Sequence, residues 1–388
     1  MTSTWLSRAK TSKAAQRLSQ WQIDTGETTS GSKWDAILGA FLMVRIGMPG
    51  FNFYVGDVAA LLLVIVSLRR KSNVPANRVK IYVTFASLVL FYLGFESFYN
   101  DVNFLNRLLK LTILFALAAS ITFGRLSLPK VVLGLLLGLI ANVPLYYLNL
   151  TPDSGYVGCL TGFLGDKNVA GLYYAIVPLL ASAFVAKRST RAVLLAFGAA
   201  CTFLTLSRSS LAAFAFGLAW LMVSKKSGLG TKIILGAATV FLYQYLEATF
   251  SQAGIFADRV GSDLLRARID NAAASLADGV PWYGKGLSTA VVDVGNHPFF
   301  LHNSYLSLYI EGGWFFVISI LAPLFFVVFR PLRRPPFSFT QITQQAALLA
   351  VLLCALRLGE VFLTVPVAIL IGSALRFEAI FDGKVHHS

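Results

Sequence analysis

The chain has 388 residues, 56% of them hydrophobic and only 13% charged, with a mean hydropathy of +0.68. Soluble domains are roughly half apolar and about a quarter charged, so this composition excludes an ordinary soluble fold. A net charge of +15 would suit nucleic acid, but its uneven spacing between apolar blocks assigns it to membrane topology instead.

Residues 1–33 are polar and basic and contain no apolar h-region, so a cytoplasmic tail (1–34) is expected and a secretory signal peptide is not. Rich in Ser, Thr, Gln and Lys, the tail reads as disordered or lying on the anionic inner leaflet. From residue 35 onward the apolar residues fall in blocks near the about 20 residues that cross a bilayer. Twelve spans are expected, at about 35–48, 53–68, 80–95, 104–121, 131–149, 168–186, 191–206, 209–223, 232–248, 303–329, 341–356 and 360–376. Pro331, Pro335 and Pro336 with Arg330, Arg333 and Arg334 make a stiff basic connector, and 377–388 form a second tail. The fold class is therefore all-α and polytopic, with about twelve transmembrane helices in 35–376 and one large polar loop at about 249–302.

With the N-terminus inside, the cytoplasmic segments hold 23 of the 33 Lys and Arg. Of the 18 acidic residues only Asp24, Glu27, Asp35, Glu378 and Asp382 fall on that side. This positive-inside asymmetry places both termini in the cytoplasm and the large loop outside. Cys159, Cys201 and Cys354 sit in or beside apolar segments without CxxC spacing, and read as buried free thiols.

The outer face collects 151–168, the tight turn Ser207-Arg208-Ser209-Ser210, the loop 249–302, and a short turn carrying Arg357 and Glu360. Arg208 is read either as an interfacial anchor or, more in keeping with its non-cytoplasmic position, as a phosphate contact beside the N–H groups of a helix capped by Ser207. Arg266 and Arg268 lie on an amphipathic segment with apolar residues at 265, 269, 272, 273 and 276. Two positions apart, they project differently; each is a candidate diphosphate ligand or a partner of Asp263 or Asp270. His302 opens an apolar helix at the boundary and is the candidate general base, with His297 its competitor. Asp166 and Asn168 read first as helix caps. No Asp-x-Asp pair, His/Glu cluster, Walker loop or GxSxG elbow is present, so no metal and no cofactor are expected. The spans hold few charges, Arg45 being the main exception noted, which counts against a transporter with a charged central cavity.

Four motifs in order resemble the O-antigen ligase and polysaccharide polymerase superfamily of bacterial inner-membrane proteins. They are Gly162-Phe163 with Asn168 ahead of a helix, the Ser207-Arg208 turn, Arg266-x-Arg268 followed by Pro281-Trp282-Tyr283-Gly284-Lys285-Gly286, and His302-Asn303 with Gly313 further on. The residues after Gly313 are Trp314-Phe315-Phe316, without the small residue often found there, and Lys167-Asn168 is closer to the exopolysaccharide polymerases. The resemblance covers about 155–330. It implies a metal-independent, inverting glycosyl transfer on the periplasmic face of the inner membrane, from a glycan on a polyprenyl diphosphate. The acceptor would be a second glycan or lipid A core, and the resemblance implies polysaccharide assembly proteins as partners beside membrane lipids. On that resemblance Arg208, Arg266 and Arg268 hold the diphosphate and His302 takes the acceptor proton, with Lys167, Asn168, Asn303 and Arg357 in support. The competing expectation is a transporter or flippase for the same lipid-linked glycan.

Overall fold

The computed structural model describes residues 32–48, 53–72, 74, 76–224, 228–250, 260–333 and 337–385. The proposed tail up to residue 31, Arg259, and the connector residues Arg334, Pro335 and Pro336 lie outside the described residues. Among the described residues thirteen α-helices are seen: α1 (Lys33–Phe41), α2 (Val55–Leu68), α3 (Ala76–Tyr99), α4 (Leu105–Thr122), α5 (Leu128–Tyr147), α6 (Lys167–Ala181), α7 (Arg188–Leu204), α8 (Arg208–Val223), α9 (Leu229–Phe250), α10 (Val260–Asp278), α11 (Ser304–Pro323), α12 (Phe339–Ala355) and α13 (Val365–Val385). The protein is all-α but for one antiparallel hairpin, β1 (Val291–Val294) and β2 (His297–Phe300), with Val291 opposite Phe300 and Val294 opposite His297.

Each expected apolar segment coincides with one helix, and α10 is the amphipathic helix of the polar loop. Four helical stretches are long and apolar enough to cross a membrane: Lys80–Tyr99, Leu105–Thr122, Leu128–Tyr147 and Ser304–Phe329, the last being α11 with its π-helical extension. By length and composition these four are consistent with membrane association. α2, α8 and α12 are apolar but shorter; α1 ends at Phe41, well before the expected residue 48. There the chain turns, and Gly47 bridges Tyr54.

Small residues explain how α1 is held. A Cβ on Gly134 of α5 would lie 2.0 Å from the Ala36 carbonyl oxygen, and one on Gly138 would lie 2.4 Å from that of Ala40. Only glycine permits this backbone approach, the usual device for joining apolar helices that gain nothing from water exclusion. Asp35, fully buried, accepts hydrogen bonds from Arg70 at 2.8 Å and from the Ser127 N–H at 2.9 Å.

Two helices form the centre. In α6 every residue from Ala170 to Ala181 is buried, and in α12 nearly every residue from Gln341 to Ala355 is. A helix apolar on all sides must be surrounded. The start of α6 and the end of α12 emerge at the same end of the bundle, beneath α10 and the hairpin. A satellite core of Ile269, Ala273, Val280, Ala290, Val292 and Leu301 meets Ile310 of α11 there, fixing α10 and the hairpin against the bundle.

Candidate functional site

The segment leading into α6 is shaped by one buried amide. Asn142 of α5, fully buried, accepts from the Phe163 N–H at 2.8 Å and donates to the Thr161 carbonyl and to the Tyr174 hydroxyl. Gly162 sits against it at φ +56°, where a Cβ would fall 2.1 Å from Asn142 Oδ1. Left-handed backbone plus that contact leaves glycine as the residue that fits. The turn delivers Asp166, which caps α6 by accepting from the Asn168 and Val169 N–H groups at 2.8 and 3.0 Å. Its other oxygen accepts from the Tyr156 hydroxyl at 2.8 Å. Burial and the Asp166 carboxylate push Tyr156 up to about 12, so it stays protonated as the donor. Lys167 lies over the Tyr156 ring at 5.3 Å.

The start of α8 sits directly beside the start of α6. A Cβ on Gly171 would come within 2.6 Å of Ser210 Oγ and 2.9 Å of Ser207 Cβ. Ser207 occupies the N-cap position, yet its hydroxyl does not cap the helix. It donates instead to Asn168 Oδ1 at 3.3 Å and lies 3.0 Å from Ser210 Oγ, which corrects the expected Ser207 cap. The preceding Leu206 is left-handed at φ 53°, a conformation that costs an L-residue roughly 1–2 kcal/mol. The turn thus carries strain where Arg208 begins α8, half-buried.

From α8 the contacts run on to α12, where Cys354 Sγ reaches Ser210 Oγ at 4.0 Å. Three residues later Arg357 pairs with Asp270 of α10 at 3.6 Å. Asp270 is one helical turn beyond Arg266, whose Nε is buried without a hydrogen-bond partner. His302, half-buried, leaves the hairpin and precedes α11. Burial, and then the Arg266 charge, hold its imidazole below the ordinary histidine value, while Asp270 and Asp166 pull the other way. These contacts, with the charges of Arg266, Asp270 and Asp166 acting on His302, gather Ser207, Asn168, Asp166, Arg266, His302, Asp270 and Arg357 into one neighbourhood, called the ring below, with Arg208 following Ser207 at the start of α8.

The remaining expected residues lie outside that ring or serve locally. Arg268 is exposed, because two positions along a helix turn a side chain by about 200°. His297 is exposed on β2. Asn303 caps α11, accepting from the Tyr305 and Leu306 N–H groups at 3.0 and 3.2 Å.

The run 281–286 is a docking element. α11 breaks at Gly312 and Gly313, and a Cβ on Gly313, at φ +61°, would lie 2.0 Å from the Trp282 carbonyl oxygen. Into that break the run inserts backbone bonds: Lys285 N–H to Ile310 O at 2.8 Å, Gly286 N–H to Glu311 O at 3.0 Å, and Trp314 N–H to Trp282 O at 2.9 Å. Tyr92 of α3 donates to the Tyr283 carbonyl at 2.7 Å.

Sequence reasoning passed over Tyr156, the Asp270–Arg357 pair, and the buried cluster of Arg107, Glu311 and Glu360. Arg45 is not the main charge in the helices: Glu96, Arg107, Lys110 and Glu311 lie there too. A glutamate between Ile310 and Gly312 in an apolar helix is itself the signal, since such a charge is expensive unless paired.

Compared with known proteins, the chain matches no family model and no curated protein.

Proposed function

We propose that the chain transfers a glycan from a polyprenyl-diphosphate donor to a hydroxyl acceptor, as an O-antigen ligase or polysaccharide polymerase of the bacterial inner membrane. In this reading twelve helices cross the bilayer, both termini are cytoplasmic, and the ring of residues with α10 and the hairpin faces the periplasm. The charge asymmetry of the connections supports that orientation.

The observation that carries the reading is the ring. It sets a guanidinium with an unsatisfied, buried Nε beside a histidine of lowered pKa, at the paired starts of two helices. Buried polar atoms are nearly always bonded; Arg107, Arg125 and Arg191 also keep a buried Nε without a hydrogen bond, and what makes the one at Arg266 a candidate contact for a ligand oxygen is its charge coupling to His302. Arg266, with Arg208 at the start of α8, would take the diphosphate oxygens and stabilise the charge that develops as the sugar–oxygen bond breaks. His302, neutral over more of the pH range because its pKa is depressed, would accept the acceptor hydroxyl proton as that oxygen bonds the anomeric carbon. The products are the inverted glycoside, the polyprenyl diphosphate and a protonated imidazole that releases its proton to water. Arg268 is left out of the clamp, and Asn168, Asn303 and Lys167 act as supports of the turns.

The test is incubation of the purified protein with a polyprenyl-diphosphate oligosaccharide, with and without lipid A core. Chain lengthening identifies a polymerase and labelled core a ligase. Movement of the lipid-linked glycan across vesicles with neither product would replace transfer by flipping. Cysteine labelling at Ser288 from outside the cell tests the orientation, and labelling only after permeabilisation would reverse it.

A further inference from the structure

Below the ring, one guanidinium joins three separate segments. Arg107, in the first turn of α4, donates from Nη2 to Glu311 Oε2 of α11 at 3.0 Å, with its Nε in ion-pair contact with Oε1 at 2.7 Å. Its Nη1 reaches the Glu360 carboxylate. Glu311, only 1% exposed, also accepts from the Ser288 N–H at 3.0 Å. Ser304 Oγ donates to the Leu358 carbonyl at 2.6 Å and to that of Gly359, and accepts from the Val361 N–H at 3.0 Å. The cluster therefore ties the loop after Gly286, the body of α11 and the turn after α12 to one point on α4.

Two carboxylates face one guanidinium here, and the balance comes from neighbours. Lys110, one turn along α4, lies 3.9 Å from Asp57. It and Arg45 share Tyr54, at 4.8 and 5.0 Å from the ring centre. Buried ion pairs contribute little net stability compared with apolar packing, so their value lies in fixing geometry. What this one fixes is specific. Arg357 is three residues before Glu360, and His302 is nine residues before Glu311, about 13 Å along a helix at 1.5 Å per residue.

We infer that Arg107 is a positioning residue: through Glu311 and Glu360 it sets His302 and Arg357 relative to the α10 segment that carries Arg266. The inference rests on the transfer reading above. Arg107 touches none of the ring residues, so its effect is on alignment, where displacements near 1 Å can cost about 10²-fold in rate.

The experiment compares Arg107→Met, Glu311→Met and the double variant in purified full-length protein, reading kcat, donor KM, thermal midpoint and hydrogen exchange. Each single variant should lower kcat by roughly 10- to 100-fold with donor KM within a few-fold. Amides of 282–289 and 356–363 should exchange faster while those of α6 and α12 do not. The double variant no longer buries an unmatched Arg107 or Glu311, although Glu360 still lacks its guanidinium, so its midpoint should recover part of the way towards wild type while kcat stays low and exchange fast. Recovery of kcat together with the midpoint would overturn positioning and leave a merely structural pair. If the wild-type protein transfers no glycan to any acceptor, the transfer reading falls, and exchange alone then decides the clamp. Fast exchange confined to those two segments in Arg107→Met supports it, and unchanged exchange removes it.

Discussion

Arg330 and Arg266 bring the same guanidinium to opposite ends of the helical bundle, and their surroundings differ. Arg330, 3% exposed, binds the Glu378 carboxylate, donates to Gln344 Oε1 at 3.0 Å and to the Ala374 and Val328 carbonyls at 3.3 Å, and stacks over Phe377. Nearby Lys232 is equally enclosed, bonding Gln345 at 3.1 Å with its ammonium 3.3 Å from the Phe337 ring centre. Arg266 has a buried Nε with no acceptor, and its charge acts on the half-buried His302. Cations whose donors are all taken are scaffold. A left-over buried N–H is found at Arg107, Arg125 and Arg191 as well, so what sets Arg266 apart is that its charge also acts on the half-buried His302. The comparison predicts that changes at the Arg330 end act through stability and those at the Arg266 end through turnover.

The largest expected effect is at His302. His302→Ala should lower transfer by about 10²- to 10⁴-fold, the usual cost of losing a general base, with donor binding nearly unchanged. His297→Ala, altering an exposed strand residue, should be mild. Equal defects at both positions, measured on the same donor, would break the assignment. At the other end, Arg330→Met removes the enclosed guanidinium from Glu378 and Gln344, leaving Glu378 the longer Arg333 contact at 3.4 Å. Removing one member of a buried pair costs roughly 3–5 kcal/mol, so the thermal midpoint should drop by many degrees while kcat per folded molecule is kept. A fall in kcat with unchanged stability would show that the two ends are not distinct in the way argued here.

The twelve apolar segments and the amphipathic α10 were legible because hydropathy and a 3.6-residue period report burial directly. Legible too was that Arg208 and His302 stand at the ends of apolar blocks, next to helix starts. The hairpin was not: Val291–Val294 is too short to announce a strand, and it forms because Val292 and Leu301 complete a core with Ile269 and Ile310. Nor could spacing separate Arg266 from Arg268; that depends on which side of α10 the satellite core takes. Ser207 was misread as a cap because its alternative acceptor, Asn168, is 39 residues away in sequence.

Arg266→Ala and Arg208→Ala should each cost on the order of 2–4 kcal/mol of transition-state stabilisation, read as kcat/KM, with lysine restoring only part because it lacks the planar fork. Arg268→Ala, at an exposed site outside the ring, should stay within a few-fold of wild type. If Arg268→Ala were as severe as Arg266→Ala, the coupling of Arg266 to His302 would lose its meaning as a marker.

The smallest effect concerns pH, and it tests whether the ring is electrically one unit. Activity should fall on acidification as His302 becomes protonated, at a pH below the ordinary histidine value near 6.5, because burial and Arg266 both disfavour the charged imidazole. Asp270 opposes them. Asp270→Asn removes a negative charge that favours imidazolium, so the acid limb should move to still lower pH. Arg266→Ala removes a positive charge that disfavours it, so the limb of its residual activity should move up. The two substitutions lie one turn apart on α10, and a general disturbance of that helix would shift both profiles the same way. Opposite displacements in rate–pH profiles measured on the two variants would place His302 between these two charges as the titrating group. Identical profiles would mean that the acid limb belongs to another residue.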